Sequence, residues 1–134
     1  MSREIFVNLP VKDLDASITF FTQLGFEFNP AFTNEKATCM IVGDGIFVML
    51  LVRDFFQTFT RKPVAEAANG TEVILALSAD SREEVDEMVA KALAAGGAES
   101  NPASEQPGMY GGSFQDPDGH LWEVIYMDPA ALGS

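Results

Sequence analysis

His120 is the only histidine in the chain, and Glu123 follows it three positions later in the stretch FQDPDGHLWEVIY, residues 114–126. On a helix, an imidazole and a carboxylate at that spacing would share a face and could share a divalent metal. The stretch reads instead as a strand, in which residues three apart point to opposite faces. Glu123 then sits with Leu121 and Ile125, and His120 with Trp122, Val124 and Tyr126. The spacing therefore does not make a metal pair. His120 directly follows the Asp118-Gly119 turn and reads as a surface or satisfied structural histidine. Glu123 is less easily explained, because a carboxylate between two aliphatic neighbours is costly to bury unpaired. Two readings stay open. It is a partly hydrated carboxylate held by hydrogen bonds from neighbouring strands or from Tyr110, or it is a general base or an anchor for a ligand's cationic or hydroxyl group.

Other chemistry is scarce. Cys39 is the single cysteine, so no intrachain disulfide can form, and its place in the apolar run ATCMIVG suits a buried thiol. One histidine leaves no spare base to activate a serine or Cys39. GGSFQDPDG lacks the strand-loop-helix context of a phosphate loop. A net charge of −12 with only eight scattered basic residues argues against nucleic acid as a partner. The same charge favours a cationic ligand over an anionic one. No apolar run approaches a membrane span and MSREIFVNLP lacks a signal-peptide pattern, so no membrane partner is expected and the cytoplasm is the expected location.

The elements that must position these residues come in two similar sets within one 134-residue domain. IFVNLPV alternates as a strand. DLDASITFFTQLG follows as a helix with Asp13 as N-cap, Gly25 at its end and an apolar stripe of Leu14, Ile18, Phe21 and Leu24. Strands are expected around FEFNPAF, ATCMIVG and IFVMLLV, the last two joined by a hairpin at GDG. The order β-α-β-β-β then recurs. TEVILALSA is a strand, and SREEVDEMVAKALAAGG is a helix with a Ser81/Glu84 capping box and a stripe of Val85, Met88, Val89 and Ala92. Short strands near GAES and YGGSFQD precede HLWEVIYM. Leu14 superposes on Val85, Gly25 on Gly96, and Asp44-Gly45 on Asp118-Gly119, which points to an internal duplication. The first module covers about 1–53, a connector about 54–70 and the second module about 71–128. The connector carries Phe55, Phe56 and Phe59 at helical spacing, either packing on the core or partly lidding a pocket. NPASEQPG reads as a loop.

A duplicated β-α-β-β-β unit with VKDLDASITFFTQLGFEF after the first strand and FQDPDGHLWEV at the end resembles the vicinal oxygen chelate superfamily. That group includes glyoxalase I, extradiol dioxygenases and bleomycin-binding proteins. MYGGSFQDPDGHLWEVIYMDPAAL is especially similar to a bacterial branch of predicted lactoylglutathione lyases. The resemblance implies an α+β fold of two tandem modules whose curled mixed sheets surround a pocket. In the superfamily's metalloenzymes each module gives two metal ligands, one from its first strand and one from its last.

Carried onto this chain, those positions fall on Phe6, Met49, Ile74 and Glu123. Asn8 and Glu72 are the nearest substitutes on the two first strands. Phe and Ile cannot ligate, and a thioether suits the usual hard or borderline ions poorly. With one ligand of four, no metal site and no cofactor is expected, and lactoylglutathione formation is not expected either. The expected pocket lining adds Met109, Tyr110 and Phe114, with Phe32 and Met40 as further apolar candidates. The reading that follows is a metal-independent protein binding a small molecule, cationic by the charge argument. The alternative is a glyoxalase-like lyase or isomerase, or a dioxygenase, with a non-standard site using Glu123. A homodimer is expected, because half-barrel sheets leave strand edges to cover and family members commonly pair modules across chains.

Overall fold

A computed structural model describes residues 3–130, so the ends of the 1–134 domain assigned from sequence lie outside the described residues. The chain divides into two compact units, one ending at Glu66 and the other beginning at Ala67. In the first, β1 (Ile5–Val11), α1 (Leu14–Gln23), β2 (Glu27–Phe28), β3 (Ala37–Gly43) and β4 (Ile46–Val52) precede a short α2 (Arg53–Gln57). The sheet order is β1-β4-β3-β2, with β1 parallel to β4 and the other pairs antiparallel. Leu9, Val48, Leu50 and Met40 fall on one sheet face and are buried. The alternate positions place Phe6, Asn8, Phe47 and Met49 on the other face, where the Phe6 and Phe47 rings stack at 5.0 Å.

The second unit repeats the plan with β5 (Ile74–Ser78), α3 (Arg82–Ala94), β6 (Ala98–Glu99), β7 (Ser104–Gln106), β8 (Met109–Gln115) and β9 (Leu121–Met127). Its order is β5-β9-β8-β6, with β7 also on β8 and β5 parallel to β9. Both sheets are therefore mixed, and both are open. Helix α3 packs on β8 and β9. Gly112 permits this approach, because a Cβ there would lie 2.8 Å from Val89 Cγ2.

The helix signals act as the sequence implies. Asp13 accepts from Ala16 N at 3.1 Å, Ser81 accepts from Glu84 N at 3.1 Å, and Glu84 accepts in turn from Asp80 N. Gly25 and Gly96 end the two helices at φ values of 101° and 103°, a conformation that costs glycine little. The buried stripe of α1 is broader than the apolar pattern suggests. Ser17 and Phe20 are buried with Leu14, Phe21 and Leu24, while Ile18 is only half-buried.

Three segments differ from expectation. FEFNPAF supplies a strand only at Glu27–Phe28, because Asn29 then caps a 3-10 turn over Pro30–Phe32, accepting from Ala31 N at 3.0 Å. Within NPASEQPG, Ser104–Gln106 is a strand rather than loop, paired antiparallel with β8. In the connector, Phe55 and Phe56 are half-buried, but Phe59, packed edge-on against Phe55, is 67% exposed. Cys39 is buried, which raises its thiol pKa and keeps it a protonated, unreactive packing group.

The β8–β9 hairpin turns on Asp116, which is 4% exposed. Its Oδ1 accepts from Asp118 N and His120 N, both at 3.0 Å, and its Oδ2 accepts from Trp122 Nε1 at 3.0 Å. Burial raises the carboxyl's pKa above the usual carboxylate range, opposed by His120 and these donors. Asp116→Ala leaves three N–H groups without their acceptor. At roughly 1–3 kcal/mol per buried orphan, the loss should reach about 3 kcal/mol. Urea denaturation should show a correspondingly lower midpoint, and an unchanged midpoint would mean that backbone bonds alone hold the turn.

Candidate functional site

Register puts Glu123 where a ligand could meet it. Glu123 pairs with Ser113 on β8 and with Ala76 on β5, so these side chains share a face with Leu121, Ile125 and Ile74. That face carries a concavity of 260 Å³ lined by Glu123, Ile125, Gly111 and Ser113, and walled by Asn101 and Ser104. Gly111 keeps its floor low. A Cβ there would make only ordinary contacts, 3.6 Å from Val124 O and 3.7 Å from Ser104 Oγ, so the glycine leaves space that packing does not require.

The Glu123 carboxylate is half-buried and has no hydrogen bond or ion pair among the described residues. Two of the neighbours that could satisfy it are committed elsewhere. Ser113 Oγ donates to Asn101 O at 2.9 Å, and the Tyr110 hydroxyl donates to Asp86. The expectation that Tyr110 holds Glu123 is therefore corrected, because the two side chains occupy opposite faces of the sheet. The site has an acceptor, the apolar side chains of Met109 and Ile125, and polar walls at Asn101 and Ser104 that make no bond to the acceptor. Such a carboxylate suits a ligand's ammonium, guanidinium or hydroxyl group.

The structure separates the other residues singled out by sequence. Met109 lines the Glu123 concavity, and Ile74, 48% exposed, shares its sheet face. Glu72 precedes β5 and is exposed, so it does not share a strand face with Ile74. Tyr110 and Phe114 lie on the helix side of the sheet, and Phe114 is fully buried, stacked parallel to Trp122 at 6.4 Å. A pocket lining that includes Phe114 is thus corrected, since core packing consumes the ring. Met40 is likewise buried in the first unit, and Phe32 is exposed on the 3-10 turn. Phe6, Asn8 and Met49 share one face of the first sheet, but Asn8 donates its amide to Phe6 O at 3.2 Å.

His120 is buried beside Asp116 and belongs to the hairpin, not to the concavity. The sequence reading passed over Asp116, Ser113 and Gly111. For Asp116 a signal was available: Asp-Pro-Asp-Gly is turn chemistry in which the first side chain accepts from the backbone two residues on.

The residues present do not fit the metal that the family resemblance implies. The carried-over positions supply one oxygen donor, Glu123, beside two hydrocarbon side chains and a thioether. Among the described residues, no group of three His, Cys, Asp or Glu side chains could hold a metal ion. No helix among them is long and apolar enough to cross a membrane.

A second cluster lies on the opposite face. Arg82 bonds Glu105 at 2.6 Å and sits 4.3 Å above the Tyr110 ring. The ion pair holds the Glu105 carboxyl below its usual range, and the bond to Asp86 raises the Tyr110 phenol.

Residues 3–43 match the family of bleomycin resistance protein-like N-terminal domains. The hypothetical protein SA1046 from S. aureus is 31% identical, with 94% of each chain covered and a TM-score of 0.80. A glyoxalase/bleomycin resistance protein/dioxygenase from Nocardioides is 25% identical over 96% of this chain and 87% of its own, with a TM-score of 0.71. TnmS3, an antibiotic binding protein from Streptomyces sp. CB03234, is 21% identical over 96% and 98%, with a TM-score of 0.67. No curated protein matches the chain.

Because Glu123 has no partner to lose, Glu123→Gln should leave stability within about 0.5 kcal/mol of the parent or raise it slightly. A thermal or urea midpoint that falls by more than that would reveal a structural role for the carboxylate.

Proposed function

The chain belongs to the glyoxalase/bleomycin resistance/dioxygenase (vicinal oxygen chelate) superfamily, and from that premise we propose that it is a metal-independent binding protein for a small, positively charged molecule. One observation carries the reading: the carboxylate of half-buried Glu123, without a partner among the described residues, lines a concavity of 260 Å³. Its oxygens are open to solvent, since no buried side-chain oxygen among the described residues lacks a partner, and a ligand's cationic or hydroxyl group would take the place of that water.

Ile125, Met109 and the glycine floor supply apolar contact, and the carboxylate fixes orientation, the usual division of labour in a small-molecule site. The net charge of −12 raises the local concentration of cations and repels anions. The fold also occurs in TnmS3, whose name describes it as an antibiotic binding protein. Lewis-acid chemistry is not part of the proposal, because Phe6, Met49 and Ile74 stand where such chemistry needs donors. A cytoplasmic location belongs to the same reading.

Native mass spectrometry of gently purified protein should find a retained small cation. Calorimetric titration with that compound should then show Glu123→Gln binding more weakly by roughly 1.5–3 kcal/mol, the worth of a charge-assisted hydrogen bond. Undiminished affinity in the variant would sink the anchor role. The proposal includes a homodimer, for which light scattering at micromolar concentration should return twice the 14.5 kDa chain mass. A monomer at every concentration would remove that part.

A further inference from the structure

The larger concavity of the second unit, 470 Å³, lies away from Glu123 and shares only Met109 with it. It forms where the start of α3, β7 and the ends of β8 and β9 meet, and Arg82, Glu105, Tyr110, Tyr126 and Asp128 line it. Tyr110 and Tyr126 are direct cross-strand partners, so their rings issue side by side from the helix face of the sheet.

One half of this concavity is already a complete cation site. The Arg82 guanidinium lies over the Tyr110 ring, Glu105 closes on it from β7, and Asp86 accepts a hydrogen bond from the phenol. An aromatic face, a carboxylate and a guanidinium between them form the arrangement by which proteins hold organic cations. The chain supplies its own cation to that half.

The other half has the same parts without the cation. Tyr126 is half-buried, and it has neither a hydrogen bond from its hydroxyl nor a ring contact among the described residues. Asp128 stands beside it, with Oδ1 accepting only from Ala130 N at 3.0 Å. Glu105 binds Arg82 through Oε2 alone, which leaves Oε1 available. Glu105, Asp128 and Asp86 outnumber the single guanidinium, so the local field favours a second cation and opposes an anion.

We propose that this concavity is a second binding site, for a guanidinium group seated on Tyr126 between Asp128 and Glu105. Arg82 on Tyr110 is the internal template for that pose. The site does not use Glu123 and shares only Met109 with the concavity that does, so it stands or falls independently of the function proposed above.

The test is a titration of the isotopically labelled full chain with agmatine, followed by amide NMR. Saturable shifts are expected at Gly108, Tyr110, Tyr126 and Asp128. Tyr126→Leu should weaken binding roughly fivefold, the scale of one exposed cation–ring contact. Tyr126→Phe keeps the ring face and should retain affinity, which separates ring recognition from damage to the fold. Glu123→Gln should leave these shifts unchanged. Arg82→Gln is the decisive variant. It removes a like charge and frees Tyr110 and Glu105, so agmatine should bind more tightly, whereas an anion site would lose its ligand. Parallel titration with a short capped arginine peptide identifies the source. Tighter peptide binding assigns the guanidinium to a polypeptide side chain, tighter agmatine binding assigns it to a free metabolite, and both outcomes uphold guanidinium recognition. Absence of saturable shifts, shifts confined to residues around Glu123, or loss of binding in Arg82→Gln would overturn the proposal.

Discussion

A buried carboxylate that gathers three N–H groups decides what the rest of the second unit can do. Asp116 fixes the turn through Asp118 and His120, and it fixes the indole of Trp122 through the ring nitrogen. Once Trp122 is tied to the core side of β9, strand alternation leaves Glu123 no choice of face. A slip of one residue would bury Glu123 against α3 and expose the indole. The carboxylate that faces the concavity is therefore held in place by one that faces the core. The two acids differ in environment, one enclosed by donors and one open to solvent without a bonded partner among the described residues.

Much of this was legible in the chain. Helix caps, the closing glycines and the two β-α-β-β-β sets follow from local chemistry, because Asp13, Ser81, Gly25 and Gly96 each act on their own neighbours within a few residues. The alternation in HLWEVIYM correctly divides Glu123 from His120 for the same reason. Contacts set at long range were less legible. Ser17 and Phe20 are buried because α1 meets a broad sheet face, which no single-helix stripe reveals. Ser104–Gln106 is a strand because β8 has an open edge there, whereas its own sequence, rich in turn formers, suggests a loop.

The site was legible only in part. Glu123 stood out as a misfit in an apolar alternation, and the structure leaves its oxygens open to solvent with no bonded partner among the described residues. Tyr110 and Phe114 were grouped with it by proximity in the sequence, but a strand sends neighbours to opposite faces, and one of them is consumed by the core. Arg82 and Glu105 could not be paired from sequence, since they lie on different elements 23 positions apart. The duplicated plan has also diverged. The last strand of the first unit carries Met49 where that of the second carries Glu123, so only the second unit has a carboxylate at that position.

Gly111 and Gly112 give β8 a property that neither has alone. The first shows a bare backbone to the Glu123 concavity, and the second shows one to Val85 and Val89 of α3. At that level the partition between the concavity and the helix is a single peptide layer with no side-chain padding. Close-packed layers of that thickness transmit small displacements instead of absorbing them. The outer surface of α3 is thus a natural place for an environment-sensitive dye to report on what fills the concavity from behind, without the dye entering it. Val89, packed against Gly112 where α3 meets β8, is the side chain that backs this part of the floor.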